Sequence, residues 1–266
     1  MEWFTGYLAV GAAVGFFAGL LGIGGGAIMV PLLVMLFEAQ GLPREHILHL
    51  AVGSGMATIL LTSASSARAH AARGALRWDI VKTMTPGILI GGLIGSAVAG
   101  AIPTRLFALL FCITVYLASA NMLLERKPKP KPSREVPGWR GMSVAGFVIS
   151  ATSAFAAIGG AFMTVPFLVW CNVPLLQAIG TAAAVGFPIA VAGSIGFVAA
   201  GLMQTGLPAW SVGYIYLPAF AGIAITSMLV APAGVAMAHR LPTRVLRKIF
   251  AGLLFVMATK MLVGLW

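Results

Sequence analysis

The chain has 266 residues, of which 60% are hydrophobic and only 9% are charged, and its mean hydropathy is +1.00. Charged residues make up roughly a quarter of ordinary soluble domains, so this composition excludes a soluble globular protein and indicates an integral membrane protein. The net charge of +11 does not indicate nucleic-acid binding, because the basic residues fall in short loops where membrane topology accounts for them.

Ten apolar segments follow one another along the chain, five in each half, and they predict helices because they lack the alternating pattern of a barrel strand. We expect them near residues 3–22, 26–38, 47–66, 83–101, 104–124, 142–158, 161–172, 176–199, 211–237 and 243–264. The second segment of each half is shorter than the roughly 17 residues that a spanning helix needs. We therefore expect each of these two to be a half-helix or part of a re-entrant hairpin.

The two halves resemble each other in sequence, which predicts an internal repeat. The matched positions are Gly24-Gly25 with Gly159-Gly160, Pro31 with Pro166, and Gly53-Ser54 with Gly180-Thr181. An odd number of spans per repeat places the second half upside down in the membrane. The predicted fold class is therefore an all-α polytopic helical bundle of two inverted repeats, covering residues 1–124 and 142–266 and joined by a basic linker rich in Pro and Lys at 125–141.

The loop charges predict the same inversion independently. The loop after the third span carries Arg68, Arg73, Arg77 and Lys82, whereas its counterpart at residues 200–210 carries no charge. Cytoplasmic loops attract Lys and Arg, so the basic loops and the linker 125–141 are predicted to be cytoplasmic. Both termini are then predicted to lie on the periplasmic side.

The glycine breaks are the predicted binding site for an anionic substrate. Glycine can open a helix, so that free amide N–H groups and the positive end of the following half-helix face a ligand. The residues concerned are Gly24, Gly25 and Gly26 in the first half and Gly159 and Gly160 in the second. Pro31 and Pro166 would fix the two breaks and serve in gating. The alternative is that these glycines only allow close helix packing.

Polar residues in the third span and its counterpart complete the predicted site. No carboxylate lies inside a span, which argues against a cation site, whereas neutral hydroxyl donors suit an oxyanion. We predict that Ser54 and Thr181 bind the substrate, that Ser66 lines its path and that Arg68 attracts it at the cytoplasmic end. A hydroxyl bonded to its own helix, or a topology charge, is the alternative reading of these residues. His70 is interpreted as a polar anchor, with proton coupling as the alternative.

The sequence gives no indication of enzymatic or cofactor chemistry. Cys112 and Cys171 occupy unrelated positions in the two halves, and no His or Cys spacing typical of a metal site is present. There is no nucleotide-binding loop and no paired acid or nucleophile-base arrangement. We therefore predict no catalytic residue, no metal and no cofactor.

The glycine-then-proline hairpins, the serine-bearing third span leading to His70-x-x-x-Gly74 and Trp78-Asp79, and Pro86 with Gly91, Gly92 and Gly95 together resemble the TauE/SafE family of membrane anion transporters. The resemblance covers nearly the whole chain. It implies export of sulfite or a small organosulfonate such as sulfoacetate across the bacterial inner membrane.

The mechanism that we expect is secondary transport by alternating access, with the energy source left open. The expected partners are the small anion and the lipid bilayer, and a homodimer is compatible with the small-residue faces. Three alternatives stay open at this point. They are a passive anion channel, an uptake permease for another small ion such as a transition metal, and a membrane-embedded enzyme.

Overall fold

The computed structural model describes residues 2–21, 25–123, 135–157, 159–240 and 243–264. These residues form ten α-helices and one short antiparallel β-hairpin. The helices are α1 (Glu2–Leu21), α2 (Gly26–Ala39), α3 (Ile47–Ala71), α4 (Trp78–Ala101), α5 (Thr104–Leu123), α6 (Trp139–Ser153), α7 (Ala161–Trp170), α8 (Leu175–Leu202), α9 (Leu217–Ala238) and α10 (Thr243–Gly264). Strands β1 (Ser211–Val212) and β2 (Ile215–Tyr216) lie between α8 and α9.

Five of the helices have the length and composition of membrane-spanning segments. Within the described residues, α1, α3, α4, α8 and α9 are each long and apolar enough to cross a membrane. Large apolar side chains on the outside of the bundle are widely exposed, for example Ile90 (57%), Leu117 (64%) and Leu229 (68%). A soluble protein rarely exposes so much apolar surface, whereas in a bilayer these side chains contact lipid. The predicted all-α polytopic membrane fold is confirmed.

The prediction for the ninth segment was wrong at its beginning. We expected a helix over 211–237, but the β-hairpin occupies the first six of these residues and α9 begins only at Leu217. The chain turns sharply before the helix, with positive φ angles of 67° at Trp210 and 55° at Gly213. Pro218 then lies in the first turn of α9, where its missing N–H costs no helical hydrogen bond.

The helices of the two halves pack in equivalent pairs. Helix α1 packs along α9 as α6 packs along α4, α3 packs on α8 at the centre, and α5 packs on α10. The contact of α3 with α9 is matched by that of α8 with α4, and the contact of α2 with α3 by that of α7 with α8. These contacts stay the same when each helix of the first half is exchanged with the helix at the same place in the second half.

Glycine faces bring paired helices into close contact within the chain. On α4, Gly87, Gly91 and Gly95 all face α6, and a Cβ atom placed on Gly91 would lie only 2.8 Å from the Cα atom of Phe147. Gly11, Gly15 and Gly19 on α1 face α9 in the same way. Small residues in membranes allow such close backbone approach. The Gly87–Gly95 face is therefore used inside the protein and is not available for a dimer contact.

Candidate functional site

Each short helix begins at a glycine in the left-handed conformation. Gly25 precedes α2 with φ 75° and ψ −8°, and Gly160 precedes α7 with φ 74° and ψ −12°. Glycine adopts this conformation without the penalty that other residues incur. Gly25, Gly26, Gly159 and Gly160 are all buried, whereas Gly24 lies outside the described residues. Helices α2 and α7 therefore both begin inside the protein, where the amides of their first turn have no partner within the helix.

The two breaks meet in the core of the bundle. A Cβ atom placed on Gly26 would collide with the carbonyl oxygen of Ala157, which lies in the turn between α6 and α7. A Cβ atom placed on Gly55 of α3 would lie 3.5 Å from the Cβ atom of the same alanine. On the other side, a Cβ atom on Gly186 of α8 would lie 3.6 Å from the carbonyl oxygen of Gly159. The breaks therefore lie between α3 and α8, and in this conformation they are in contact.

The breaks lie halfway along the central pair of helices. Helices α3 and α8 run antiparallel, because Gly193 packs on Met56 while Gly186 packs on Ser63. The residues that contact the breaks, Gly55 on α3 and Gly186 on α8, lie well inside both helices rather than at an end. For helices long enough to cross the bilayer, this position corresponds to its middle.

Ser54 and Thr181 make equivalent hydrogen bonds but do not come together. The Tyr216 N–H donates to the Ser54 hydroxyl at 2.8 Å, and the Arg77 N–H donates to the Thr181 hydroxyl at 3.1 Å. Both donors immediately precede the fourth helix of the opposite half. Gly180, next to Thr181, packs on His70, which lies 16 residues beyond Ser54 on α3. At 1.5 Å per residue the two hydroxyls are more than about 20 Å apart.

Pro31 and Pro166 occupy the same place in the two short helices. Each is the sixth residue of its helix and lies inside it. Proline cannot donate the usual hydrogen bond to the carbonyl four residues earlier, so the first turn of each helix is held less firmly than a regular one. This arrangement fits the predicted role of the prolines in fixing the breaks.

Ser66 and Arg68 lie toward the end of α3 that carries the basic loops. Ser66 is buried and its hydroxyl has no hydrogen-bond partner among the described residues. It lies one turn beyond Ser63, which packs on Gly186 near the second break. Arg68 is exposed at the surface. Ser66 is thus close to the breaks. Arg68 lies at the surface of the end of the bundle that carries the basic loops, which we call the mouth.

A pocket of about 650 Å³ leads from the opposite end of the bundle toward the first break. It lies among α2, α3, α5 and α10, and Pro31 forms part of its lining. Five charged residues line it, namely Glu38, Arg44, Glu45, Arg105 and Lys260. Pro31 is five residues from the start of α2, so the pocket reaches to about 8 Å from the break. The sequence did not indicate this pocket, because its lining comes from four helices that are distant along the chain.

The architecture defines the class of protein. A polytopic helical bundle with two short helices that begin at buried breaks in mid-membrane is typical of secondary transporters. A family profile described as "Sulfite exporter TauE/SafE" matches residues 7–261. The chain therefore belongs to the TauE/SafE sulfite exporter family and is a membrane transporter.

Relatives named as transporters are similar over nearly the whole chain. A probable membrane transporter protein of Haemophilus influenzae is 35% identical, and the match covers 96% of both chains. A probable membrane transporter protein of Methanocaldococcus jannaschii is 24% identical over 96% of this chain and 94% of the relative. No solved structure matches the chain.

Proposed function

We propose that the protein is a secondary transporter that exports a small sulfur-containing oxyanion, sulfite or an organosulfonate such as sulfoacetate, across the bacterial inner membrane. The observation that carries the proposal is the meeting of two glycine-capped helix starts, α2 and α7, in the middle of the membrane. Free amides and the positive end of the helix dipole favour an anion at such a position. The family supports a transporter, and its description supports this class of anion.

The substrate would bind between the breaks after a small separation of the two halves. In the present conformation Gly26 touches the Ala157 carbonyl, so the amides of α2 and α7 are covered by protein. We infer that the pocket beside α2 is the access path on one side and that the Ser66 region is the path on the other. Opening these paths in turn is alternating access, and equivalent packing of two repeated halves is typical of transporters that work in this way.

The same packing supports two inverted repeats, 1–124 and 142–266, joined by the linker 125–141. Inversion places the basic loops, with Arg68 and Arg73, and the linker on the cytoplasmic side. Both termini and the pocket beside α2 would then face the periplasm. For an exported anion, the pocket would be the exit, and its three basic residues outnumber its two acidic ones.

The experiment that tests the site is ligand-dependent stabilisation of the purified protein. Sulfite, sulfoacetate, sulfate and nickel are added separately, and the melting temperature is measured in detergent. A ligand at a hundredfold excess over its dissociation constant stabilises the folded state by about 2.7 kcal/mol. We expect sulfite or sulfoacetate to stabilise the protein and nickel not to do so.

Matched glycine variants make the result specific to the break. Gly25 and Gly41 flank α2 and have similar φ angles of 75° and 70°, but Gly41 is exposed and has nothing within 4 Å of its Cβ position. Gly25→Ala should abolish the stabilisation by the anion, whereas Gly41→Ala carries the same backbone strain and should preserve it. Stabilisation by nickel alone, or equal stabilisation of both variants, would refute the anion site at the breaks.

Transport itself is measured in proteoliposomes loaded with the anion that stabilises the protein. An alternating-access transporter gives saturable efflux and counterflow, in which unlabelled anion on one side drives labelled anion from the other. Efflux that increases linearly with concentration, without counterflow, would show a passive channel instead.

A further inference from the structure

Two histidines face each other at the end of the bundle that carries the basic loops, and the predicted site does not use them. His70, near the end of α3, is completely buried, and its ring nitrogens form no hydrogen bond of regular geometry among the described residues, although the Gly19 carbonyl lies near the ring. His239, directly after α9, has a buried ring nitrogen, Nε2, that also lacks a hydrogen-bond partner among the described residues. The two ring centroids are 5.7 Å apart. A single proton or one bridging water is therefore within reach of both rings.

Within the described residues, helices α1 and α8 pack against His70. Helix α1 presents the backbone carbonyl of Gly19, and α8 presents Gly180, which has no side chain. The charged group next to His70 is Arg73, whose guanidinium donates to the Ala69 carbonyl at 2.8 Å. Arg68 on α3 and Arg240 after His239 lie further out and are exposed.

No acidic group among the described residues pairs with either histidine. Asp79, in the first turn of α4, is already bound by Arg77 at 2.6 Å. The surroundings of the pair are therefore cationic, and a proton that binds there adds to a positive charge rather than neutralising a negative one.

A buried imidazole without a hydrogen bond of regular geometry costs folding free energy. An unsatisfied buried donor or acceptor costs about 1–3 kcal/mol, so native proteins retain one mainly where it has a role. Helix packing does not explain the pair either, because an apolar side chain would fill the same space without this cost. The position in the other half that corresponds to His70 is occupied by Phe197, which is also fully buried.

We propose that His70 and His239 form a proton-binding site, and that binding of a proton opens this mouth of the transporter to the anion. The neutral pair fits the dry, closed arrangement. A protonated ring carries a charge that must be hydrated or paired, so it favours an open mouth that admits water. The imidazolium, together with Arg68 and Arg73, then attracts an anion to the path past Ser66. The inference rests on the proposed anion transport and supplies it with a coupling ion.

Opening of the mouth can be measured without any substrate. Ser66 lies one turn inside His70 and is buried, so a cysteine at this position reports on opening when the native Cys112 and Cys171 are replaced by alanine. The rate of labelling by a small, charged thiol reagent is measured in detergent. We expect it to increase about fourfold between about pH 7.5 and about pH 6, because the ring that binds the proton is the one hydrated in the open mouth, which titrates as an ordinary imidazole does. The rates are corrected for the pH dependence of the reagent with an exposed cysteine at Gly206.

Histidine variants show whether the pair causes the effect. In His70→Gln the labelling rate should be independent of pH, and His239→Gln should reduce the pH dependence. His46→Gln, a partly buried histidine at the opposite end of α3, should behave as the parent does. Equal pH dependence in all three variants, or no pH dependence in the parent, would overturn the proposal. If His70→Gln does not fold, the result for His239→Gln decides.

Transport in proteoliposomes separates this proposal from the proposed function. Anion counterflow that persists in His70→Gln with an unchanged pH profile would contradict the proton site and leave the transport proposal intact. pH-dependent labelling that requires His70, in a protein that moves no sulfite or sulfoacetate, would support the proton site and contradict the proposed substrate class. Counterflow that loses its pH dependence in His70→Gln would support both.

Discussion

Replacing Ser54 tests whether its hydroxyl holds the fold together or binds the substrate. Ser54 is completely buried, and its hydroxyl accepts a hydrogen bond of 2.8 Å from the Tyr216 N–H, just before α9. Ser54→Ala leaves this N–H without its acceptor. The cost of an orphaned buried donor is about 1–3 kcal/mol, and hydrogen bonds in membrane proteins average about 0.6 kcal/mol. We therefore expect a loss of about 1–2 kcal/mol in the free energy of unfolding.

Two further variants sharpen the measurement. Thr181→Val removes the equivalent bond to the Arg77 N–H and should cost a similar amount. Because the two hydroxyls are more than about 20 Å apart, the double variant should show the sum of the two losses. Thr58→Val is the matched control, since Thr58 is also fully buried on α3 but donates only to the carbonyl of Ser54 within its own helix. That carbonyl keeps its helical partner, so Thr58→Val should unfold close to the wild type.

The assay is reversible unfolding in mixed micelles with increasing sodium dodecyl sulfate, followed by circular dichroism. The reasoning fails if Ser54→Ala is as stable as Thr58→Val. It fails equally if Ser54→Ala keeps full stability but loses anion-dependent stabilisation, because the hydroxyl would then serve the substrate and not the hairpin. A double variant that loses much more than the sum would show that the two sites are coupled.

The remaining predictions concern packing and orientation. Gly91→Val places atoms against the backbone of Phe147 and should destabilise the fold by about 1–3 kcal/mol in the same unfolding assay, whereas Gly138→Val, with nothing within 4 Å, should change little. An unaffected Gly91→Val would mean that α4 and α6 do not pack as described. Cysteines placed at Gly138 and Gly206 should react with an impermeant reagent from opposite sides of membrane vesicles, Gly138 in inverted vesicles and Gly206 in right-side-out ones. Reaction of both from one side would contradict the predicted topology.

The sequence was sufficient to predict the helices and the breaks. Hydrophobic segments in a bilayer must satisfy their own backbone groups, so length and composition alone predict helices, and ten were predicted and found. The breaks were predictable because glycine and proline act locally. Gly25 and Gly160 adopt left-handed φ angles and Pro31 and Pro166 lie five residues inside the helices that follow. The β-hairpin before α9 was missed, because its residues are as apolar as those of a helix.

Only the tertiary structure decided which of the predicted residues lie together. Equivalence in the repeat pointed to a shared site for Ser54 and Thr181, but the antiparallel packing of α3 on α8 places them at opposite ends, where each binds a backbone amide. The same packing brings Gly26 against the turn at Ala157 and His70 against His239. These residues are far apart in sequence, and no local preference fixes their distance. Local backbone chemistry determined where the helices begin and end, whereas contacts between distant helices determined what the site contains.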